Sequence, residues 1–281
     1  MALGLVGGGE PRVINALLKL LADSNIHVSH AAAESLRKLG GEQPTVIDAL
    51  LSLLSDFDVR QAAVMALGLV GGGEPRVIDA LLLSLYTSEG DVRQAAAVSL
   101  GQLGNGHPRV INALLKHLFD SNWRVRLAVV IALGQVGNGE PRVINALLKL
   151  LASSDTNMKQ QAAIALGRLG NGEPRVIGAL LPLLSDSNTS MKQAVATALG
   201  RLGSGHPHII NALLPLLSDS NADVRQVVAE ALPTLSADSE LIAQHVEALL
   251  QPYEPIVNGQ IVADDATDTL LFALQQVAGE V

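Results

Sequence analysis

The amino-acid sequence predicts an all-α protein in which antiparallel helix pairs stack as a right-handed solenoid with a period of about 33 residues. A proline followed by a variant of Arg-Val-Ile-Asn-Ala-Leu-Leu recurs seven times, at spacings of 33, 31, 33, 33, 33 and 33 residues. These prolines are Pro11, Pro44, Pro75, Pro108, Pro141, Pro174 and Pro207. A unit this small can bury its apolar face only against its neighbours, so the fixed period indicates a stack of repeats.

Each repeat is predicted to contain two helices, and the unit that begins at Pro141 illustrates the pattern. Proline suits the first position of a helix, and apolar residues recur at helical spacing over residues 143–151. A polar stretch, residues 153–157, separates this first helix from a second helix predicted over residues 158–166. The second helix is expected to end in the glycine-rich turn at residues 167–172, because glycine adopts the positive φ that terminates helices.

The start of the second helix is marked by a polar residue that suits a helix cap. In the unit that begins at Pro141 this residue is Asn157, whose side chain is expected to accept a hydrogen bond from a backbone N–H of the first turn. Equivalent positions hold further good capping residues, namely Asp58, Asp91, Ser190 and Asp223. Helix, turn, helix, turn is therefore the predicted unit.

Two patterns recur from unit to unit: an acid followed by a base six residues later, and Val-Arg-x-Ala-Ala-x-x-Ala-Leu-Gly in the second helix. Over residues 11–235 these patterns resemble HEAT repeats, and in particular the short HEAT-like repeats named for the phycobilin lyases of cyanobacteria. Similar cyanobacterial arrays accompany NTPase domains of the NACHT class. This second resemblance implies that the chain is the docking segment of a larger protein.

The resemblance also implies a ladder of ion pairs along the stack. The matching acid and base positions are Asp120 with Arg126, Asp186 with Lys192, and Asp219 with Arg225. We expect a weaker ladder in the first three units, since Ser29 replaces the base, Thr87 replaces the acid and two residues are missing near Asp56. Pro182 and Pro215 match the family's kinking proline and are expected to bend their helices by removing a backbone donor.

The predicted array spans residues 1–235 and is followed by an irregular segment. The first residue aligns with Met65 in the last turns of a second helix, so the array is expected to start in the middle of a repeat. Two interpretations stay open: the native protein extends further upstream, or the initial half-repeat packs against another surface. Residues 236–281 are expected to form degenerate capping helices at 239–251 and 268–277.

The composition disfavours several classes of function. The chain has 19 Lys and Arg against 27 Asp and Glu, a formal charge of −8 and no basic run, which disfavours nucleic acid and anionic membranes as partners. The absence of cysteine excludes disulfides, thiolate metal sites and a cysteine nucleophile. Because the sequence shows neither a secretory signal nor a long apolar segment, we expect a cytoplasmic protein.

No catalytic, cofactor or metal site is predicted. His27 and His30 stand three residues apart on one helical face, but no acidic third ligand falls in step with them. No Gly-x-Ser-x-Gly elbow is present to hold a serine nucleophile. The glycine turns before the first helices are expected to end helices rather than bind phosphate, because a glutamate such as Glu140 occupies the anion's place. We therefore expect a protein that is not an enzyme.

The second helices are expected to carry a binding surface. Their positions spaced i, i+3 or i+4, i+7 and i+11 are predicted to line the exposed concave side of the solenoid. One such position holds, from unit to unit, Glu34, Met65, Val98, Ile131, Ile164, Thr197 and Glu230. We refer to its four apolar members, Met65, Val98, Ile131 and Ile164, as the apolar row. The alternative is that these side chains pack sideways against neighbouring second helices and are mostly buried.

The central unit adds aromatic and cationic side chains to this surface. Trp123 occupies a position that is aromatic elsewhere only at Phe57, and Leu127 replaces the Gln or His of the other units. Arg124 adds a cation, and both Trp and Arg are enriched among the residues that dominate binding energy at interfaces. The predicted partner-binding surface consists of Met65, Val98, Trp123, Arg124, Leu127, Ile131 and Ile164.

Two functions from different classes fit these features. The first is a non-catalytic scaffold that binds a protein partner on the concave face, by apolar burial within a polar rim. The alternative is a phycobilin-lyase-like chromophore-handling subunit, which needs Tyr, Asp or Glu around a tetrapyrrole-sized groove; Tyr86 and Tyr253 are the only tyrosines. Homo-oligomerisation, through the initial half-repeat or the apolar row, is a third expectation.

Overall fold

The structure, a computed structural model, describes residues 11–21, 23, 25–40, 44–104, 106–203, 206–235, 256–257 and 260–261. Fourteen α-helices and several 3₁₀ segments occupy the described residues up to 235. A two-residue antiparallel strand pair, Ile256–Val257 with Gln260–Ile261, follows them. The array of helix pairs is an all-α solenoid, as the sequence predicts.

All first helices begin at the predicted prolines. They are α1 (Pro11–Leu20), α3 (Pro44–Leu53), α5 (Pro75–Ser84), α7 (Pro108–Lys116), α9 (Pro141–Leu150), α11 (Pro174–Leu180) and α13 (Pro207–Leu213). A backbone N–H at the first helical position has no acceptor within the helix, so proline costs no hydrogen bond there and fixes the φ of the first turn. The spacing of these prolines therefore sets the spacing of the repeats.

The second helices alternate with the first and pack on one another. They are α2 (Ile26–Gly40), α4 (Arg60–Val70), α6 (Gly90–Leu103), α8 (Trp123–Val136), α10 (Thr156–Leu169), α12 (Thr189–Leu202) and α14 (Ala222–Ala231). α2 packs on α4, α4 on α6 and α6 on α8; in the same way α10 packs on α12 and α12 on α14. Each second helix also contacts the first helix of its own repeat or the 3₁₀ segment that continues it.

The chain divides into two compact units. The first, Met1–Asn138, contains α1 to α8, and the second, Gly139–Val281, contains α9 to α14 and the strand pair. The predicted initial half-repeat and the predicted capping helices at 239–251 and 268–277 lie outside the described residues. Each unit has its own core of Leu, Val, Ile and Ala side chains.

The described core contains no aromatic side chain, and its second helices approach each other closely. Leu100 and Leu133 are fully buried on α6 and α8. In the second unit, a Cβ added to Gly167 on α10 would lie only 2.5 Å from the Cα of Ala198 on α12. The second helices therefore pack backbone against backbone at a glycine, which leaves their other faces for larger side chains.

The starts of the second helices differ by one or two residues from the predicted ones, and the predicted residues do not cap them. α10 begins at Thr156, and its cap is Asp155, whose Oδ1 accepts hydrogen bonds from the backbone N–H groups of Asn157 (2.9 Å) and Met158 (3.1 Å). The prediction of Asn157 as the cap is therefore wrong. The turn offers several polar residues in succession, and the one that caps is fixed by where the helical backbone begins.

The four equivalent cap predictions, at Asp58, Asp91, Ser190 and Asp223, are wrong as well. Asn188 and Asn221 cap α12 and α14, two residues before the predicted positions. α4 and α6 follow Val59 and Glu89, whose side chains make no capping hydrogen bond. The first backbone N–H groups of α6 therefore donate no hydrogen bond to the side chain at the N-cap.

Glycine turns end the second helices, but the positive φ comes after the glycine that caps the helix. Gly170 caps α10 with φ −74°, whereas Asn171 and Gly172 have φ of 43° and 73°. Asn138 and Gly139 repeat this conformation after α8. The left-handed residues thus turn the chain toward the next proline rather than closing the helix itself.

Pro182 and Pro215 lie in 3₁₀ segments that continue the first helices, and the predicted bend of these helices stays a prediction. α11 and α13 are followed directly by 3₁₀ segments, Leu181–Ser185 and Leu214–Ser218. Proline lacks the N–H that the α-helical pattern needs at these positions, so the helix continues with the tighter hydrogen-bond pattern.

Candidate functional site

Large apolar side chains are exposed in one stretch of the first unit. Among the described residues these are Phe57, Leu83, Tyr86, Val98, Phe119, Trp123 and Ile131. Single exposed apolar residues are ordinary on protein surfaces, whereas their concentration in three consecutive repeats indicates a surface with a further role. Leu83 lies on the first helix α5, and the others lie on α6 and α8 or in the turns before α4, α6 and α8, which form the candidate site.

The first three members of the apolar row lie on successive second helices of this unit. Met65 on α4 is half-buried, whereas Val98 on α6 and Ile131 on α8 are exposed over 42% and 37% of their surface. Val98 and Ile131 therefore keep more than a third of their surface open to solvent, and the choice between a binding row and sideways packing stays a prediction. The exposed Gln102 and Gln135 follow them by one turn, so uncharged polar side chains border the row.

Trp123, Arg124 and Leu127 lie at the start of α8, in the two turns before Ile131. The Trp123 side chain is 54% exposed, and the guanidinium carbon of Arg124 lies 5.5 Å from the centre of its ring. Leu127 is half-buried. Asn122 caps the helix by accepting a hydrogen bond of 2.9 Å from the backbone N–H of Arg124. The cap and the cation–π contact hold the indole at the helix start.

The fourth member of the apolar row belongs to the second unit. Ile164 on α10 is half-buried, and the equivalent positions on α12 and α14 hold the half-buried Thr197 and the exposed Glu230. Exposed arginines, Arg168 and Arg201, follow one turn after Ile164 and Thr197. The second-helix face of this unit is therefore more polar than that of the first unit.

A pocket of about 430 Å³ opens between the turns that precede α6 and α8. It is lined by Ser88, Gly90, Arg93, Ser121, Asn122, Trp123 and Arg124. Two residues of the predicted partner-binding surface, Trp123 and Arg124, thus line a pocket that sequence reasoning missed. The one signal in the sequence is Gly90, which stands at the position that Trp123 occupies in the next repeat and adds no side chain to the pocket.

Arg93, which lines this pocket, forms an ion pair with Asp120 of the next repeat. Arg93 Nε and Nη2 donate hydrogen bonds of 2.8 Å to Oδ2 and Oδ1 of Asp120. Arg93 Nη1 also donates to the carbonyl oxygens of Thr87 and Ser88 in its own turn, at 3.0 and 2.9 Å. The implied ladder thus joins the base of one repeat to the acid of the next.

This pairing shifts the titration of both groups. The hydrogen bonds from Arg93 hold the pKa of the Asp120 carboxyl below its ordinary value, aided by the backbone N–H of Asn122 at 2.8 Å. The same hydrogen bonds raise the pKa of Arg93. Both effects keep the pair charged, because each partner stabilises the ionised form of the other.

The second unit contains the same rung. Lys192 Nζ on α12 donates a hydrogen bond of 2.7 Å to Oδ2 of Asp219, in the turn before α14. The backbone N–H of Asn221 donates to the other carboxylate oxygen at 2.9 Å. The hydrogen bond from Lys192 is the main cause that lowers the pKa of Asp219.

One rung persists in the early repeats, where a weaker ladder was expected. Arg60 Nη1 lies 3.1 Å from Oε1 of Glu89, two residues after the Thr87 that replaces the acid. The prediction overlooked Glu89 as a substitute because its position is shifted along the turn. At the other irregular position, Ser29 is buried and donates its hydroxyl to the carbonyl oxygen of Leu21 at 3.0 Å.

Further aromatic residues that sequence reasoning did not select lie in the same turns. Tyr86 and Phe119 occupy equivalent positions in adjacent repeats and are both exposed. Tyr86 packs edge-on against the buried His117, with 4.9 Å between ring centres, and His117 Nδ1 lies 2.9 Å from the carbonyl oxygen of Ala113. A structural contact therefore accounts for this histidine and for the placing of the tyrosine ring.

A family model matches the repeats described above. The model, described as HEAT repeats, matches residues 1–68, 43–101, 78–167 and 144–233, which together span most of the chain. The chain belongs to the HEAT-repeat family. The resemblance drawn from the sequence is confirmed at this level, while repeats of the phycobilin-lyase type stay a prediction.

A solved structure shares the fold of this HEAT-repeat chain. The X-ray structure of YibA from Escherichia coli has a TM-score of 0.66 over 94% of this chain and 92% of that chain, at 18% sequence identity. At this identity the likeness shows the fold alone. No curated protein matches the sequence significantly.

The described residues show neither a metal cluster nor a helix able to span a membrane. The part of the chain that the structure describes contains no cluster of His, Cys, Asp and Glu side chains able to hold a metal ion. His27, one of the two histidines that stand three residues apart in the sequence, is exposed. In the same residues, no helix combines the length and the apolar character of a membrane span.

Proposed function

We propose that this HEAT-repeat chain is a non-catalytic scaffold that binds a protein partner on the exposed face of its second helices. The surface is the predicted one: Met65, Val98, Trp123, Arg124, Leu127, Ile131 and Ile164. In this proposal the second helices line the concave side of the solenoid. The observation that carries the proposal is the exposure of Val98 and Ile131, two large apolar side chains on helices that pack on each other.

The chemistry of such an interface is apolar burial inside a polar border. The cores of protein interfaces are poor in charged residues and rich in aromatic residues, Met and Arg. The row from Met65 through Val98 to Ile131 is uncharged, and Gln102 and Gln135 border it without adding charge. Trp123 and Arg124, at the start of α8, supply the residue types that dominate binding energy.

The proposal is tested by a photocrosslinking residue placed at Ile131 in the native host. Thr197, at the equivalent position of the more polar second unit, receives the same residue as a matched control. We expect one protein to crosslink at Ile131 and not at Thr197. Ile131→Asp is expected to weaken binding of that protein about tenfold to hundredfold, because it removes apolar burial from the interface. Equal crosslinking at both positions contradicts the proposal.

Two other expectations give distinct outcomes in the same system. Crosslinking of Ile131 to a second copy of the chain identifies the apolar row as a homo-oligomer interface. The chromophore-handling alternative requires an absorbance change when the purified protein is mixed with a bilin. The pocket next to Trp123 contributes no tyrosine and no carboxylate to such a ligand, so we expect no change.

A further inference from the structure

The pocket next to Trp123 is lined by a glycine where the next repeat has tryptophan. Gly90 is the first residue of α6 and corresponds to Trp123, the first residue of α8. A Cβ at Gly90 would lie 2.3 Å from Nδ2 of Asn122, so the Asn122 amide occupies the space beside Gly90. Any larger residue at this position therefore displaces the Asn122 amide, which lines the pocket.

The pocket is lined by two guanidinium groups and by no carboxylate. Arg93 is committed to Asp120 by two short hydrogen bonds and is only 12% exposed. Arg124 forms a weaker ion pair. Its carboxylate partner, Asp91, lies 3.9 Å away, and both side chains are more than half exposed. Exposed pairs of this kind contribute little free energy, so Arg124 can exchange Asp91 for a carboxylate of a ligand.

The pocket also has an apolar wall that leads to the apolar row. The Trp123 indole is more than half exposed. Arg124, Leu127 and Ile131 are spaced i, i+3 and i+7, so they follow one face of α8 away from the pocket. A peptide with its charged group at Arg124 therefore has an aromatic surface beside it and an apolar strip next to that.

We propose that this pocket anchors the partner by taking an acidic side chain on Arg124 and an adjacent aromatic side chain on Trp123. The inference deepens the proposed function and rests on it, since it names the chemistry of the bound segment. A carboxylate and a guanidinium match in geometry and form charge-assisted hydrogen bonds. Aromatic pairs gain further stabilisation beyond the area that they bury.

The experiment uses Trp123 as its own reporter, because it is the only tryptophan of the chain. The probe is the acetylated and amidated peptide Gly-Ser-Asp-Phe-Asp-Ser-Gly, titrated into the full chain at low ionic strength. Matched peptides carry Asn in place of Asp, Lys in place of Asp, or Ala in place of Phe. We expect a saturable change in Trp123 emission with the Asp and Phe peptide, and binding about tenfold weaker or more for each of the others.

Two variants and one control locate the effect. Arg124→Gln leaves the pocket open and is expected to weaken binding about tenfold or more. Gly90→Ala displaces the Asn122 amide from the pocket lining and is expected to weaken binding about tenfold or more, with circular dichroism confirming that the helices remain. Arg109→Gln removes another exposed arginine, which pairs with Asp79 on a first helix, and is expected to change nothing.

Three results overturn the inference: equal responses to all four peptides, unchanged binding by Arg124→Gln, or no saturable change with the Asp and Phe peptide. If the peptides fail while Ile131→Asp still weakens the crosslinked partner, the inference falls and the proposed function stands. If the peptide binds as expected while Ile131→Asp leaves binding of the partner unchanged, the apolar row is not the partner-binding surface.

Discussion

Arg93 and Asp120, which belong to adjacent repeats, form two parallel hydrogen bonds of 2.8 Å. The same guanidinium donates to the carbonyl oxygen of Thr87, and the same carboxylate accepts from the backbone N–H of Asn122 at the start of α8. The two side chains are only 12% and 8% exposed. This ion pair therefore connects the turn before α6 with the turn before α8, at a position where little water reaches it.

Removing one partner of this pair is expected to destabilise the first unit. Asp120→Asn keeps the shape of the side chain but leaves the charge of Arg93 without its carboxylate. We expect the free energy of unfolding to fall by about 2–4 kcal/mol, measured by urea denaturation near neutral pH. The control is Asp79→Asn, whose carboxylate pairs with Arg109 on the surface; here we expect a change of about 0.5 kcal/mol or less. Equal losses in the two variants contradict this prediction.

Acid is expected to weaken the fold through the two shielded carboxylates. Hydrogen bonds from Arg93 and Lys192 place the pKa of Asp120 and Asp219 below the ordinary value of 3.8. A carboxyl group whose pKa is lowered by folding binds a proton more readily in the unfolded chain. Its contribution to stability is therefore present above the unfolded pKa and is lost as the pH falls through the folded pKa.

The measurement is the urea midpoint as a function of pH. We expect the midpoint of the parent chain to fall as the pH drops below about 4. The double variant with Asp120→Asn and Asp219→Asn is expected to start lower at neutral pH and to lose less on acidification. A parallel decline in parent and double variant shows that other groups control the acid response.

The close approach of α10 and α12 is expected to make Gly167 intolerant of a methyl group. A Cβ at this position meets the backbone of Ala198, at 2.5 Å from its Cα and 3.2 Å from its carbonyl oxygen, and backbone cannot rotate away. Gly167→Ala is therefore expected to cost about 1–3 kcal/mol or more by overpacking. Gly178→Ala on α11 is the control, because nothing lies within 4 Å of its added Cβ. There we expect a gain of about 0.5–1 kcal/mol from helix propensity. Thermal unfolding followed by circular dichroism measures both.

The exposure of Ile131 is expected to separate binding from folding. Ile131→Asp places a charge on the surface and should change the free energy of unfolding by about 1 kcal/mol or less. Val129→Asp, two residues away on α8, places the same charge at a fully buried position and is expected to unfold the first unit. Light scattering on Ile131→Asp and on the parent then reports the oligomeric state. A smaller particle for the variant assigns the apolar row to self-association.

Helix starts were predictable where a residue has one physical role, and not where several residues compete. Each proline with its following apolar run fixes a first helix, because proline suits only the first turn. In the turn before α10, however, Asp155 and Asn157 are both good caps, and local sequence does not choose between them. The choice depends on the backbone path of the whole turn, which the packing of the two helices determines.

The candidate site was predictable only in part, for a related reason. Periodicity along a helix identifies which faces of α6 and α8 carry Val98 and Ile131, and both side chains are exposed. The pocket depends instead on a missing side chain at Gly90 and on the neighbouring repeat that faces it. The partner of Arg60 was not predicted for the same reason, because Glu89 stands two residues after the position where the acid was expected. Contacts between adjacent repeats of slightly different length cannot be predicted from the pattern of a single repeat.

The forward direction of the ion pairs has a consequence for how such arrays evolve. Arg93 reaches Asp120 and Lys192 reaches Asp219, in both cases 27 residues further along the chain. Excision or duplication of one whole period keeps this separation of 27 residues, so a base can meet an acid again wherever the next repeat carries one at the equivalent position. Residues 1–14 recur letter for letter at 65–78, as expected of a gene that grows by copying whole modules.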